Sequence, residues 1–584
     1  LARATRRAAR VTTARRLLPL VTGAVAVLVL TVVVAALPWL WDEDPAASVL
    51  RVRYPERGVD PAALDALRAE LDLPADPVTG ALGWLGGVLT GDLGTSWVSR
   101  APVGPSVAGA LGVSLTLAVS AVVVAALAAL ALLAPGVRRA ARRGTSDTGR
   151  GGAVAASVLG AVPEIALGAV LVAVVAVAWG LLPSTGFTGP ANLVLPALAL
   201  GLPAGGLLAR MLSSAAESAL AEGWVRTWRS WGTPPGTIAL GVARRAVATA
   251  TPQIALLVVG LLGSAVAVEQ LFGVPGVGST ALDAVLAQDL PVAQAAVMLL
   301  VLLGLVIGGV GVLAHRALLG PARTGGELPS GVPQPTGRAA SRAPWAAAGV
   351  LAVVVLAGLP RDGGTTGPRL APPSWSAPMG TDAVGRDLWA RIAQGALLTV
   401  GTAVAVTAVC LVIGLLVGVG GRAARAGAAD VMNALPPVVV GLIIAAIVGP
   451  GLLGAAIAVV AVGWVPLAVH ARTLATEARA SGYVRAAVLA GATPWRIARR
   501  HVLPAVVGPV TRHGLARVPH AALGIAALSF LGLGAAPDSP EWGAVLADSL
   551  DYVERAPWTI LAPTVGLALI AVVVALVRET RTSS

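Results

Sequence analysis

Long apolar runs recur along the whole chain, and they restrict its fold more than any other feature of the sequence. The runs at Leu17–Leu40 and at 292–319, for example, are longer than the roughly 18 residues that suffice to cross a bilayer as an α-helix. Inside the hydrocarbon layer no water satisfies the backbone, so each spanning run must be helical. The sequence therefore predicts an all-α polytopic membrane protein.

The composition supports this prediction and argues against a soluble or nucleic-acid-binding protein. Of the 584 residues, 56% are hydrophobic and only 12% are charged, whereas about 25% of a typical globular chain is charged. The sequence contains no lysine, so all 42 basic residues are arginines. The arginines cluster in short segments beside apolar runs, which is typical of membrane loops. We therefore expect contact with a lipid bilayer and no nucleic-acid partner.

The apolar runs predict about 12 transmembrane helices in two homologous six-span halves. The first half is 1–320, with a large extracytoplasmic segment at 42–105, and the second half is 344–584. Between them, 321–343 is rich in proline, glycine and serine and is predicted to be a flexible cytoplasmic linker. The predicted spans are 17–40, 106–135, 153–183, 191–212, 250–268, 292–319, 344–360, 393–421, 431–449, 451–471, 506–533 and 557–577.

The distribution of arginine predicts the orientation of these spans. About three times as many arginines lie on one predicted side of the membrane as on the other, and the arginine-rich side is expected to face the cytoplasm. This rule places the N- and C-termini in the cytoplasm and the segment 42–105 outside. We expect a multi-pass protein of a bacterial cell membrane.

A basic stretch occurs twice, once in each half and both times on the predicted cytoplasmic side. Gly223–Val247, which we call the first copy, aligns at one constant offset with a stretch that begins at Gly482. The second copy is Gly482–Pro504. A repeat at such a long interval indicates two homologous halves rather than a solenoid. The aligned pairs include Gly232 with Gly491, Pro235 with Pro494 and Ile238 with Ile497.

The second copy is predicted to form two short helices separated by a turn. Gly491 is suited to end the first helix in the left-handed conformation. Thr493 is suited to cap the next helix and Pro494 to occupy its first position. We expect Pro504 to end that helix. A basic helix–turn–helix between two apolar runs indicates a surface that docks something else.

The two copies and several shorter motifs resemble bacterial ABC-importer permeases of the dipeptide/oligopeptide/nickel family. Residues 1–320 resemble the B-type permease subunit, and residues 344–584 resemble the C-type subunit. This resemblance implies the type I ABC importer permease fold, with the two subunits fused in one chain. The B-type motifs lie at 91–96, 195–198, 224–247, 268–272 and 275–278, and the C-type motifs lie at 380–387, 483–504, 528–534 and 542–543.

In that family the repeated cytoplasmic stretch is the coupling helix, which docks on an ATP-hydrolysing subunit. The resemblance implies two ABC ATPase subunits, or one fused ATPase, and an extracytoplasmic solute-binding protein as partners. An arginine stands at Arg226 and at Arg485 where the family has a glutamate, and the first copy lacks the Leu-Pro ending. The residues implied in ATPase coupling are Arg226, Gly232, Pro235, Ile238, Arg485, Ala486, Ala487, Gly491, Pro494, Leu503 and Pro504.

These features predict the permease component of an ATP-driven importer for peptides or similar small solutes, working by alternating access. The chain is not expected to be an enzyme, because a phosphate-binding P-loop requires a lysine. ATP would be used by partner subunits, with no cofactor bound by this chain. The five histidines show no metal-ligand spacing.

Five charged residues are candidates for a solute pathway or gate. Acids within spans are functional candidates by default, and both Glu164 and Glu269 lie in apolar runs. For Glu164 the competing interpretation is contact with polar groups inside the bundle. Asp382, Arg386 and Asp387 form a compact cluster in a predicted outer loop. For this cluster, local ion pairing that shapes the start of the next span is the competing interpretation.

Two other functions and one other role for the copies stay open at this point. An ion-coupled secondary transporter would need buried ionisable groups, whereas nearly all charge here lies in loops. A degenerate, non-transporting paralogue is suggested by the replaced glutamates. The alternative role for the two copies is that of amphipathic helices that rest on anionic headgroups.

Overall fold

The computed structural model describes residues 22–40, 45–53, 60–71, 76–146, 148–319, 343–365, 367–420 and 436–581. In these ranges the regular structure is helical, with isolated β-bridges but no strand, so the all-α prediction is confirmed. The arginine-rich start of the chain and nearly all of the predicted linker at 321–343 lie outside the described residues.

Thirteen helices precede the predicted linker within these ranges. They are α1 Thr22–Ala35, α2 Leu37–Leu40, α3 Pro45–Arg53, α4 Pro61–Leu71, α5 Pro77–Thr90, α6 Val103–Arg143, α7 Arg150–Leu159, α8 Glu164–Leu171, α9 Pro190–Ala221, α10 Gly223–Ser230, α11 Pro235–Phe272, α12 Val277–Leu286 and α13 Leu290–Leu319. A π-helical turn, Val172–Ala178, extends α8.

Ten further helices follow within the described ranges. They are α14 Ala343–Gly358, α15 Leu388–Val419, α16 Pro437–Val448, α17 Leu452–Ala480, α18 Gly482–Leu489, α19 Pro494–Ile497, α20 Leu503–Leu515, α21 Val518–Phe530, α22 Trp542–Ser549 and α23 Pro557–Arg581. A π-helical turn, Ala498–Val502, joins α19 to α20.

Within the described residues, every predicted span overlaps one apolar helix or a pair of adjoining helices. Six helices (α6, α9, α11, α13, α15 and α17) are long and apolar enough to cross a membrane, and the bent pair α7–α8 makes a seventh candidate. The other predicted spans overlap shorter apolar helices at Thr22–Ala35, Ala348–Gly358, Pro437–Val448, Val518–Phe530 and Pro557–Ile570.

The span predicted at 153–183 is bent by 87° between α7 and α8. Pro163 lies at the bend with extended backbone (φ −66°, ψ 141°), because it cannot donate the hydrogen bond that would continue α7. In the second half Pro436 adopts nearly the same conformation (φ −64°, ψ 142°) directly before α16. The matching prolines support the homology of the two halves. The span predicted at 506–533 is likewise divided, into α20 and α21, with Arg517 at the break.

The described helices form two compact units, and each unit draws on both sequence halves. The first unit takes its residues from 1–107, 280–301 and 397–536, and within it α16 packs against α2, α17 and α21. The second unit takes its residues from 108–279, 302–396 and 537–584, and within it α23 packs against α7, α8 and α14. The half boundaries at 320 and 344 stay a prediction.

The break between α1 and α2 shows how an interrupted helix is repaired within the first unit. Pro38 has no N–H for the Val34 carbonyl, and Trp39 N donates to Ala36 O (3.0 Å) instead of continuing the α1 pattern to Ala35 O. Gln294 Nε2 donates to both freed carbonyl oxygens, at 3.0 Å to Val34 O and 2.9 Å to Ala35 O. One buried amide therefore satisfies both backbone groups that the proline displaces.

We expect Gln294→Leu to lower the free energy of unfolding by about 1–3 kcal/mol, since it leaves two buried carbonyl oxygens without donors. Thermal denaturation of the detergent-solubilised protein measures the loss. Gln253→Leu is the control, because Gln253 is exposed on α11. An equal effect of the two substitutions would contradict the assigned role of Gln294.

Candidate functional site

Both copies of the repeated stretch fold as a short helix, a glycine turn and a second helix. In the first copy α10 is followed by Gly232 and then α11, and in the second copy α18 is followed by Gly491 and then α19. Both glycines are left-handed, with φ of 71° at Gly232 and 78° at Gly491. Each glycine is therefore suited to its turn in a way that a larger residue would not be.

The hydrogen bonds of the two turns match position by position. In each copy the glycine N–H donates to the carbonyl three residues back, and the following N–H donates to the carbonyl five residues back. The donors are Gly232 (2.9 Å) and Thr233 (3.0 Å) in the first copy, and Gly491 (3.0 Å) and Ala492 (3.0 Å) in the second. The sequence repeat is thus a repeat of local structure.

The second helix of the second copy begins as the sequence predicts. Thr493 has extended backbone, and its side chain accepts a hydrogen bond from Arg496 N (3.3 Å). Pro494 occupies the first helical turn, where its missing N–H costs nothing. The predictions for Gly491, Thr493 and Pro494 are confirmed.

The prediction that Pro504 ends this helix is wrong. The chain continues from α19 through the π-helical turn Ala498–Val502 into α20, and Pro504 lies in the first turn of α20. The wider hydrogen-bonding pattern of a π-turn lets the helix pass a residue that cannot donate. The second copy is therefore joined to α20 by a continuous helical segment.

One valine anchors each turn. Val225 and Val484 are buried, whereas both glycines are exposed. Val225 and Ile238 belong to a core cluster with residues of α6, α9 and α11. The first turn therefore lies on the surface but is packed through its anchor onto three long helices.

The implied coupling residues differ in exposure. Ile238 is buried, so its role is in the core beneath the turn. Ala487 and Leu503 are half-buried. The exposed ones are Arg226, Gly232, Pro235, Arg485, Ala486, Gly491, Pro494 and Pro504. A coupling role for these residues stays a prediction.

Exposed apolar side chains next to the glycines were missed by the sequence analysis. Leu489 is 89% exposed, and Val488 and Trp495 are also exposed around the second turn. In the first copy Trp231, directly before Gly232, is 75% exposed. Apolar residues flanking an exposed glycine turn in a basic stretch were the available signal. Such residues favour a contact with another apolar surface.

The first copy carries an ion pair where its sequence departs from the family ending. Arg245 stands at the offset position of Pro504, and its Nε lies 3.1 Å from Glu222 Oε1. Trp224 Nε1 donates to Glu222 Oε2 at 2.7 Å. Glu222 directly precedes α10 and Arg245 lies on α11, so this contact ties the short helix to the long one. The first copy thus has the Glu222–Arg245 ion pair where the family has the Leu-Pro ending.

Glu269 is held by hydrogen bonds within the second unit, and its predicted place in a solute pathway stays a prediction. It is 1% exposed, and its carboxylate accepts hydrogen bonds from Ser114 Oγ (2.5 Å) and Ser279 N (2.9 Å). Ser114 Oγ in turn accepts one from Val277 N (2.8 Å) at the start of α12. A Cβ at Gly276 would overlap the carboxylate, so the chain wraps closely around it. A carboxylate at a helix N-terminus also matches the helix dipole.

The second half places a carboxylate at the corresponding short helix from a different position. Glu541 is fully buried and accepts from Gly543 N (2.8 Å) and Ala544 N (3.1 Å) at the start of α22. The sequence analysis missed this residue, although a glutamate one residue before a short helix was a usable signal.

Glu164 begins α8, and its Oε1 accepts a hydrogen bond from Ser264 Oγ at 3.1 Å. This contact with a polar group of α11 agrees with the competing interpretation of Glu164 as a bundle contact. Its proposed place in a solute pathway stays a prediction.

Asp382, Arg386 and Asp387 form a network with two residues that the sequence analysis did not select, Arg391 and Asp548. Asp382 Oδ2 lies 2.7 Å from Arg386 Nε and 2.9 Å from Arg391 Nη1. Arg391, only 3% exposed, also contacts Asp548 Oδ2 at 3.3 Å. Asp387 pairs with an arginine of the preceding loop and caps α15. These contacts agree with local ion pairing at the start of the next span.

The two carboxyl groups on either side of Arg391 have opposite pKa shifts. Burial acts to raise the pKa of Asp382, but the N–H and guanidinium of Arg386 hold that pKa below its ordinary value. Burial raises the pKa of Asp548, although Arg391 lies beside it. Arg391 lies closer to Asp382 (2.9 Å) than to Asp548 (3.3 Å), so Asp382 is the nearer counter-charge of the buried guanidinium. Among the residues that the structure describes, no three His, Cys, Asp or Glu side chains are placed to hold a metal ion.

Comparison with protein families gives one match in each predicted half. The model of the binding-protein-dependent transport system inner membrane component matches residues 150–320 and 410–579. The two matches include the first and the second copy, respectively.

Curated relatives resemble part of the chain. A di/tripeptide transport system permease protein (DppC) of Pseudomonas aeruginosa is 36% identical over 220 residues, which cover 35% of this chain and 72% of that protein. A peptide transport system permease protein (SapC) of Escherichia coli is 34% identical over 230 residues, which cover 36% and 76%. A dipeptide transport system permease protein (DppC) of Alkalihalophilus pseudofirmus is 35% identical over 209 residues, which cover 35% and 69%.

We expect Glu222→Gln to loosen α10, because it removes the charge that pairs with Arg245 at the base of the turn. Amide hydrogen exchange of residues 223–230 should become about tenfold faster in this variant. A double variant with the charges swapped, Glu222→Arg with Arg245→Glu, should restore part of the protection from exchange. Arg226→Gln is the control, since Arg226 is exposed on the same helix. Unchanged exchange in Glu222→Gln would contradict the link.

We expect Glu269→Ala to lower the free energy of unfolding by about 1–3 kcal/mol, since Ser279 N loses its acceptor in a buried site. Hydrogen exchange across α12 should report the loss. Asp283→Ala is the matched control, because Asp283 is exposed on the same helix. A stable Glu269→Ala protein with altered solute selectivity would favour the pathway role instead.

Proposed function

Because the chain belongs to the family of binding-protein-dependent transport system inner membrane components, and so is a permease component of an ABC importer, we propose that it imports peptides. It is a multi-pass protein of a bacterial inner-membrane transport family, and a permease subunit is not itself an enzyme. The peptide assignment is supported by the relatives whose names specify dipeptides, tripeptides or peptides.

The two glycine turns are the proposed docking surfaces for ATPase subunits. The observation that carries this proposal is that both turns are exposed at the glycine while one valine in each copy is buried, and in the first copy that valine packs against three long helices. A partner can drive a conformational change only through contacts that differ between two states. A rigid turn continuous with the spans transmits such a difference, whereas a loose loop would absorb it.

Two copies in one chain would receive two ATPase domains, either as separate subunits or as one fused polypeptide. The turns themselves match closely, but their surroundings do not. Leu489 of the second copy corresponds to Ser230 in the first, and Trp495 corresponds to Gly236. The second docking surface is therefore the more apolar one.

The proposed orientation places both turns and both termini in the cytoplasm, where ATP is available. The arginine excess on that side supports this orientation. The helices α3, α4 and α5 would then lie outside, where a solute-binding protein delivers its peptide. ATP binding and hydrolysis by the partners would drive the pathway between inward- and outward-open states.

Leu489→Asp combined with Trp231→Asp should release the ATPase subunits, because each change puts a charge into an apolar contact. We expect about tenfold less ATPase to copurify with the variant from native membranes, together with a matching loss of ATP hydrolysis.

Leu89→Asp is the matched control for this experiment. Leu89 is 89% exposed, as Leu489 is, but it lies on α5, which the proposal places on the opposite side of the membrane. The control should retain the ATPase. Copurification of an ATPase with neither wild type nor control would overturn the proposal. If the ATPase copurified undiminished with the double variant, the docking surface would have to lie elsewhere on the chain.

A further inference from the structure

An apolar groove lies within the second unit, directly behind the first turn. It has a volume of about 580 Å³ and is lined by α6, α9 and α11. Among the described residues that line the groove, Arg138, at one end, is the only charged one. The groove is large enough for a small ligand or part of a lipid, since ligand pockets are typically about 300–1,000 Å³.

Small residues keep this groove open. Ala126, Ala134 and Ala243 line it from α6 and α11 and do not reach across it. On another side, α9 approaches α6 very closely at Gly201, where a Cβ would lie 2.7 Å from Ala121 O. The contact between α6 and α9 is thus tight, while a space remains towards α11.

The groove is suited to an acyl chain and not to water or a peptide. Its walls offer almost no polar atoms, and an apolar cavity of this kind excludes water. A peptide would leave its backbone N–H and C=O groups unsatisfied there, which is costly. The rim residues Leu130 and Leu240 are exposed, so the groove is open at the surface of apolar helices. In a bilayer that surface meets lipid.

Two arginines lie on the helices that line the groove, and one of them lines the groove itself. Arg138 lines the groove on α6, and Arg244 follows the lining residue Ala243 on α11, one turn after Leu240. Within the described part of the chain, neither guanidinium has a hydrogen bond or an ion pair. Both are exposed. Basic sites between spans on the cytoplasmic side suit anionic headgroups.

We propose that this groove binds one acyl chain of an anionic phospholipid, with the headgroup at Arg138 and Arg244. The groove runs along α6 from Val122 to Arg138, which is about 24 Å at 1.5 Å per residue. That length exceeds one leaflet of a hydrocarbon core about 30 Å thick. A chain that enters from the arginine end can therefore be accommodated along its length.

The site has a consequence for coupling, which rests on the proposed function. The groove residues Ala216, Ala239 and Ala246 also belong to the core cluster that buries Val225. A bound lipid would therefore support the same helices that hold the first turn. The binding itself does not depend on the proposed function and is tested separately.

The test uses the full chain in phosphatidylcholine nanodiscs with a photoactivatable phosphatidylglycerol that carries a diazirine near the end of one acyl chain. Mass spectrometry locates the labelled peptides. We expect labelling of α6 and α11 at groove positions, about fivefold stronger than with a phosphatidylcholine probe of the same chain. Arg138→Gln with Arg244→Gln should abolish this preference, while Arg142→Gln with Arg143→Gln should leave it.

A second pair of variants tests the groove independently of charge. Ala126→Phe fills the groove and should reduce labelling by either probe several-fold, whereas Ala131→Phe, at an exposed position of α6 outside the groove, should not. Equal labelling of all faces of α6, or no effect of Ala126→Phe, would overturn the proposal. Labelling that is displaced by trileucine and indifferent to headgroup charge would assign the groove to a solute, and cross-linking of the groove to another segment of this chain would also overturn it.

Discussion

The absence of water inside a bilayer sets the main constraint on this chain, because each interruption of a helix must be repaired by the protein itself. Pro38 frees two carbonyl oxygens, and Gln294 satisfies both of them. The N–H groups that begin α12 and α22 are met by the buried carboxylates Glu269 and Glu541. A π-turn directly before Pro504 lets the helix continue through this proline. These repairs permit bends and breaks that a simple bundle of straight spans could not contain.

The same constraint bears on the coupling role proposed for the glycine turns. Each turn satisfies its own backbone through the hydrogen bonds made at Gly232 and Gly491, so its surface is free to bind a partner. Each is fixed below by a buried valine, and the first is fixed further by the pair Glu222–Arg245. The first copy lacks the family's glutamate and Leu-Pro ending, yet its turn is held in place by these contacts. We regard its divergence as a change in the partner-facing surface rather than a loss of structure.

Local properties of the sequence predict much of the fold, whereas contacts between residues far apart in the chain cannot be predicted from them. Apolar length reveals the spans, and a left-handed glycine followed by Thr493-Pro494 reveals the turn, because both depend on neighbouring residues. The partners of Glu269, Gln294 and Arg391 lie far away in the chain, so their roles emerge only from packing. The prediction that Pro504 ends a helix failed for a related reason. It assumed a regular α-helix, whereas the chain before Pro504 forms a π-turn. The form of the turn was therefore predicted correctly and its exposed apolar surface was not predicted, while its role as a coupling site stays a prediction.

Site-specific cross-linking can identify the partner that docks on the two turns. The sole cysteine, Cys410, is buried, so a Cys410→Ser background is suited to single cysteines placed at chosen positions. Leu489→Cys and Ser230→Cys would be treated in native membranes with a bifunctional maleimide, and the products identified by mass spectrometry. We expect an ATPase subunit in the products of both positions. Cross-links to lipid alone, or to no ATPase from either position, would contradict it.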